Sequence, residues 1–407
     1  MPYYTYRVRD KAGRTLQGEV EASDDRDLRK KLDEKGYFII DFAVKKSGLS
    51  FLSMSIPFLS GGVGLKDLAL ISWQLYTMLN ASLTLVSSLK IISKQAKNPT
   101  LASVISRVCQ RVEEGSSFSQ ALAEFPRVFP RLMVQMVNAG EVGGVLDEML
   151  RRVAVYYESQ AHIRSRIRSA MIYPTILLFV SLSVVVFLVV VVLPQFTQIF
   201  REIGASIPWC TQILLDISAF LKKYGVVAAM IPVGLWVLYR QLTATRQGRY
   251  QIDLWKLQIP VVGDLVKKAL TARFTQTLST LVSGGIPILT SLDVVTETVG
   301  NAAMARVFKE SAVRVGEGKP LSQPLEESAL FPDMVVNMIR VGEETGALDK
   351  MLEKISEFYN REVDNAIEEF TKLIEPILMV LMAGLIGFIA VSIFLPMADL
   401  MKNVQGV

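Results

Sequence analysis

"FPRLMVQMVNAGEVGGVLDEML", residues 129–150, returns later in the chain as "FPDMVVNMIRVGEETGALDKML", residues 331–352, and the two agree without a gap at 11 of 22 positions. Each reads as two amphipathic helices, apolar at three- and four-residue spacing, broken by a glycine-bearing turn. Gly140, Glu141 and Gly144 recur as Gly342, Glu343 and Gly346, while Gly143 is replaced by Thr345, so Gly143 is dispensable to the turn. Gly140 is expected to be the left-handed cap, with Gly144 opening the next helix. Glu141 and Glu343 are expected to cap the N-terminus of a neighbouring helix, the competing role being a partner contact.

The duplication extends outward from this turn. Residues 77–89, "TMLNASLTLVSSL", correspond to residues 280–292, "TLVSGGIPILTSL", at an offset of 203. One residue is lost between Leu122 and Phe129, and an offset of 202 then carries Tyr157 onto Tyr359, Pro174 onto Pro376 and Leu193-Pro194 onto Leu395-Pro396. Each copy is a bundle of short helices with breaks at Asn98-Pro99, Gly115-Ser116-Ser117 and Pro126 to Pro130 in the first. The last helix, from near Leu146 or Leu348, is expected to run unbroken into an apolar segment as a rod. One position departs from the repeat. Copy two carries Ser283-Gly284-Gly285-Ile286-Pro287, whereas copy one has Asn80-Ala81-Ser82-Leu83-Thr84, for which a straighter helix is expected.

The apolar segments place the chain in a membrane. It has 407 residues, 51% hydrophobic and 20% charged, more apolar than a typical soluble protein. Residues 169–200 hold no charged side chain, nor do those between Glu375 and Asp399; both exceed the roughly 20 residues that cross a bilayer. A third, shorter run, "YGVVAAMIPVGLWVLY" (residues 224–239), belongs to neither copy, and parallel insertion of the two copies requires it to return the chain. The prolines Pro174, Pro194, Pro376 and Pro396 are expected to bound the spans, setting where helices bend or stop. No export signal is read in "MPYYTYRVRDKAGR", so a cytoplasmic N-terminus is expected, in keeping with Arg164, Arg166 and Arg168 before the first span and Arg240, Arg246 and Arg249 after the second.

The fold class that follows is an all-α integral membrane protein with two homologous cytoplasmic helical bundles, three transmembrane helices and a small N-terminal ββαβ module. The expected divisions are a cytoplasmic α+β module at 1–45, with Ser23 and Gly36 as helix caps; a linker at 46–64; the first bundle at 65–170; a span at 171–194; an external segment at 195–223; a span at 224–240; the second bundle at 241–373; a span at 374–397; and an external tail at 398–407.

Catalytic chemistry has little to work with. His162 is the only histidine and lies in a charged helix; Cys109 and Cys210, the only cysteines, fall on opposite sides of the expected membrane. No triad, zinc set or structural disulfide can be assembled from these, and no cofactor is expected. Gly316-Glu317-Gly318-Lys319 lacks the spacing of a phosphate loop and the Ser or Thr after its lysine. The span cores hold no ionisable residue; Ser181, Ser183 and Ser392 are their most polar groups, and Ala383, Gly384 and Gly387 offer a small-residue face for helix packing. That disfavours ion conduction and leaves a membrane transporter subunit as the alternative reading. A net charge of +5 marks no nucleic-acid surface.

The doubled bundle, "TLVSGGIPILTSLDVV" and the two Gly-Glu-x-x-Gly-x-Leu-Asp stretches before spanning helices resemble the inner-membrane platform proteins of type II secretion and type IV pilus machines, the protein F and PilC family. The opening "YYTYRVRDKAGRTLQGEVEA" is similar to that family's first module, so the resemblance covers the whole chain. It implies a non-enzymatic, multi-pass scaffold in the bacterial inner membrane. The implied partners are a hexameric cytoplasmic assembly ATPase, pilin or pseudopilin subunits leaving the membrane, other inner-membrane assembly proteins, membrane lipid and further copies of itself in a homo-oligomer.

Overall fold

The computed structural model describes residues 3–9, 15–22, 25–33, 37–45, 62–196 and 208–405. The expected turn at residues 11–14, the Ser23 and Gly36 caps, most of the linker and residues 197–207 lie outside them. The chain divides into two units, Met1–Gly62 and Val63–Val407. In the first, strands β1 (Tyr3–Arg9), β2 (Thr15–Glu21) and β3 (Phe38–Lys45) form an antiparallel sheet in the order β2-β1-β3, and helix α1 (Asp25–Asp33) precedes β3. A bulge between Arg7 and Val8 shifts the β1–β3 register. Val8 and Leu32 are buried.

The second unit is helical. Copy one comprises α2 (Leu65–Asn80), α3 (Leu85–Gln95), α4 (Pro99–Glu113), α5 (Phe118–Ala123), α6 (Arg131–Gly143) and α7 (Leu146–Phe187). A connecting pair follows, α8 (Trp209–Ala244) and α9 (Arg246–Gln258). Copy two repeats the order as α10 (Val262–Ser283), α11 (Ile288–Thr298), α12 (Ala302–Gly316), α13 (Ser322–Glu327), α14 (Asp333–Thr345) and α15 (Leu348–Gln405). Local chemistry sets the boundaries. Asn98 Oδ1 accepts from Thr100 N and Leu101 N ahead of Pro99, and Asn301 caps α12 through Ala303 N and Met304 N in the same way.

Each bundle is built around a core drawn mainly from its own helices. In copy one, Leu75, Ile105, Phe118, Phe129 and Met136 are buried; in copy two Phe274, Phe308 and Phe331 form a ring cluster with centroids 5.0–5.5 Å apart. The rings replace smaller side chains, because Phe274 and Phe308 stand where copy one has Ile71 and Ile105. Such offset and edge-on ring pairs contribute beyond the area they bury.

The turn predicted to differ between copies is the same in both. The α2–α3 link puts Ser82 at φ 64°, and the α10–α11 link puts Gly285 at φ 74°. Ser82 N donates to Leu79 O and Leu83 N to Met78 O, as Gly285 N does to Val282 O and Ile286 N to Leu281 O. Copy one therefore has no straighter helix here. Thr84 replaces Pro287 as N-cap, its hydroxyl accepting from Ser87 N, and the serine bears the left-handed backbone that glycine holds freely.

The long helices follow the rod expectation, and the span-bounding prolines do not stop them. The first runs from Leu146 to Phe196, with a π-helical turn at Leu188–Val192, and α15 runs through 58 residues. At about 1.5 Å per residue these are rods of roughly 75 and 85 Å. Pro174 lies inside α7, and Pro376 and Pro396 inside α15, so none of these three ends its helix. Only Pro194 has an irregularity beside it, the π turn; the equivalent stretch of α15 remains α-helical. A proline in an apolar spanning helix is tolerated because small local adjustments re-satisfy the freed carbonyl.

Among the described residues two helices, Leu146–Phe196 and Leu348–Leu395, are long and apolar enough to cross a membrane. The segment expected to lie outside, 195–223, is helical from Trp209, and α8 carries a kink at Tyr224 (φ −120°, ψ 20°) where the middle span was expected to begin.

Candidate functional site

The two glycine-bearing turns become joints at the head of the rods. In the first, the left-handed residue is Gly144 (φ 69°), not Gly140, and Gly144 terminates α6; in the second it is Gly346 (φ 70°). Gly140 and Gly342 are helical and serve another purpose. A Cβ on Gly140 would stand 2.9 Å from Leu146 Cα, and one on Gly342 would stand 2.9 Å from Leu348 Cα. Only a residue without a side chain lets the bundle helix cross the head of the rod this closely. Gly143 ends α6 without a special backbone, and its counterpart Thr345 donates its hydroxyl to Val341 O.

Glu141 spans from this joint to the start of α5. Its Oε1 accepts from Phe118 N at 2.6 Å and its Oε2 from Ser119 N at 2.9 Å and Ser119 Oγ at 2.5 Å. Glu343 repeats the arrangement, accepting from Leu321 N and, at 3.0 Å, from Ser322 N. These carboxylates satisfy amides that a helix start leaves without partners. Just below, Asp147 and Glu148 occupy the first turn of α7, where the helix dipole favours anions. The Arg151 guanidinium, 2.7 Å from Glu148, holds that carboxyl below its ordinary range.

The two bundles meet asymmetrically. α10 of copy two lies along α7 and reaches α6, whereas α2 makes no comparable approach to α15. Tyr156 Oη stands 3.1 Å from Thr277 Oγ1, Gln160 Nε2 donates to Gln276 Oε1 at 2.7 Å, and Arg273 Nε donates to Gln160 Oε1 at 3.3 Å. Burial pushes the Tyr156 phenol above its ordinary value, with the Thr277 hydrogen bond opposing. Leu281, Ile286 and Val294 of copy two complete the core of copy one. An ion pair between Arg131 and Glu297 (2.6 Å) closes the edge. A polar cleft of about 340 Å3 opens where α7, α10 and α15 meet, with Arg151 and Arg152 facing it from copy one and Glu353 and Glu357 from copy two.

Lower down, the rods run side by side. Arg166 Nε lies 3.9 Å from Asp364, and Tyr173 Oη donates to Glu375 at 3.4 Å. Towards the far end of the apolar stretch the π turn, α8 and α15 meet, with Val189, Leu193, Leu214 and Ile389 buried together and Thr211 Oγ1 donating to Ser392 O at 2.6 Å. Gly384 and Gly387 are bare among the described residues: no heavy atom lies within 4 Å of a Cβ built on either glycine. His162 is exposed on α7, and no group of three metal-ligating side chains occurs among the described residues.

What these parts form is a duplicated helical scaffold whose bundles are jointed onto parallel membrane rods, and the comparisons agree with that class. The model of type II secretion system protein F matches residues 72–194 and 274–396, and that of its N-terminal domain matches residues 1–43. The chain belongs to the type II secretion system protein F family. It is 39% identical over 398 residues to the type IV pilus assembly protein PilC of Thermus thermophilus, covering 98% of each chain. It is 38% identical to PilC of Myxococcus xanthus over 99% of this chain and 96% of that one. To type II secretion system protein F of Vibrio cholerae it is 32% identical over 98% of each. The two family matches are separated by 202 residues, the offset read from the repeat.

Proposed function

We propose that this chain is the inner-membrane platform of a type IV pilus or type II secretion machine, coupling a cytoplasmic assembly ATPase to the extraction and polymerisation of pilin or pseudopilin subunits. The chain crosses the membrane three times, through α7, α8 and α15, with its N-terminus and both bundles in the cytoplasm. The ATPase docks on the bundles and the client subunits meet the spans. One observation carries the reading: each bundle is fixed at a glycine joint to a helix that continues without a break into an apolar segment. A displacement of the bundle is thereby transmitted to the membrane, since residues 146–173 and 348–375 hold no proline and a helix resists bending where its hydrogen-bond ladder is complete.

Ser169→Pro tests it. Ser169 is exposed in α7 just above the apolar stretch, and proline in a helix interior removes a ladder bond at a cost of about 3 kcal/mol. The variant is expected to insert, to retain ATPase binding and to lose filament assembly in cells. Normal assembly by a stably inserted Ser169→Pro chain would refute transmission through the rod.

A further inference from the structure

The two copies share one fold but pack head to tail, so each interface element is used once within the chain and left over once. Copy two offers a knob, Leu281, Ile286 and Val294, that is buried in copy one. The same knob in copy one is Met78, Leu83 and Ile91; Leu83 is 42% exposed where Ile286 is 6% exposed, and Met78 and Ile91 are half-buried. Copy one offers a socket in which Met136 lies against the knob's turn, a Cβ on Gly284 standing 3.1 Å from its Sδ. Around it, Leu132 and Tyr156 are 1% and 5% exposed. Their counterparts in copy two are Met334, 37% exposed, Phe358, 39% exposed, and the half-buried Met338. The chain thus ends in an unfilled socket on copy two and an unused knob on copy one.

Charge supplies the occupant. The internal interface is closed by Arg131 on the socket side and Glu297 on the knob side. At the equivalent positions the unfilled socket carries Asp333 and the unused knob carries Lys94, both exposed. Both signs are reversed together, so opposite charges again face each other when the knob of one chain enters the socket of another. Neither residue has an ion-pair partner among the described residues. We infer that a second copy of this chain docks through its α2–α3 turn onto the α14–α15 face, repeating between chains the contact that joins the two copies within one. A heterologous contact of this kind closes into a ring or continues as an open array. Here both rods descend in parallel, with Tyr173 and Glu375, equivalent in the repeat, in contact. The rotation axis therefore lies along the rods, and the chains close around it in the plane of the membrane. This arrangement is independent of what the rods transmit.

Two differently tagged full-length chains, one Lys94→Cys and one Asp333→Cys, co-expressed and oxidised in membranes, test it. Cys109 and Cys210 are buried and stay silent. A mixed-tag disulfide product at least about tenfold above that of either variant alone is expected. In a second arm, Lys94→Glu lowers the oligomer fraction in detergent by about 2- to 5-fold, the scale of an exposed ion pair, and adding Asp333→Lys restores it. A dominant Lys94→Cys self-crosslink would indicate two-fold pairing and overturn the inference. So would absence of the mixed product from an oligomeric or monomeric chain, or failure of the double reversal to rescue.

Discussion

Ser82 and Gly285 hold the same left-handed turn, and the difference between them is one Cβ. A non-glycine residue in that region costs about 1–2 kcal/mol, part of which glycine returns through its larger unfolded-state entropy. Ser82→Gly is expected to stabilise the detergent-solubilised protein by about 0.5–1 kcal/mol, and Gly285→Ala to destabilise it by about 1 kcal/mol, with opposite shifts in melting temperature. Equal shifts of one sign would contradict the shared turn. At the joints, Glu141 and Glu343 each hold two backbone amides that have no replacement partner in view. Removing such an acceptor costs about 1–3 kcal/mol, so Glu141→Ala lowers the melting temperature, Glu141→Gln lowers it less, and loss of ATPase binding without any thermal shift would overturn the capping account. The sequence placed a helix break within residues 140–144 but not at which glycine: α6 runs through Gly143, and Gly144 alone takes the positive φ. Three glycines within five residues look alike in a pattern, and what separates them is the approach of α6 to the head of α7, a tertiary distance.

At the scale of elements, the rods were readable because nothing in residues 146–168 or 348–373 interrupts helical periodicity, and charge-free runs follow directly. That Pro174, Pro376 and Pro396 do not stop their helices could not be read from sequence, because the effect of a proline depends on whether neighbouring groups re-satisfy the ladder. Likewise, the α2–α3 turn was hidden because copy one builds it from Ser82 and a Thr84 cap, residues that also occur inside helices, in place of glycine and proline. Of the three expected spans α8 has the shortest charge-free run, and its kink at Tyr224 divides a helix whose second part exposes Val227, Leu235 and Trp236. Its proposed spanning role has a direct readout. Alkaline phosphatase fused after residue 204 is expected to be active and after residue 246 inactive, at least about tenfold apart; equal activities would remove the third span.

Over the whole molecule, the duplication gave the architecture but not the way its halves meet. An internal repeat leaves open whether two copies pack as a two-fold pair or in succession, because both bury the same kinds of residue. The answer lies in small inequalities between equivalent positions, such as Arg131 against Asp333 and Glu297 against Lys94. Acidic and basic residues exchanged on both sides at once are visible in the sequence only after the structure shows that Arg131 and Glu297 touch. The head-to-tail order also explains why the copies have diverged at their outer faces while their joints, with Gly140 and Gly342 equally crowded, have not.

Copy one is finished by residues that do not yet exist when it leaves the ribosome. The last of its own residues in that core, Tyr157, is followed by 136 residues before Val294, the final piece of the core, is made. At about 5–20 residues per second that interval is roughly 7–27 s. During it Met136, which lies against Gly284 in the finished chain, has no cover from copy two, which makes this the window in which neighbouring nascent chains can exchange halves. Closely spaced ribosomes on one message would then favour swapped assemblies, and slowing translation between the two copies would lengthen the exposure without altering a single residue.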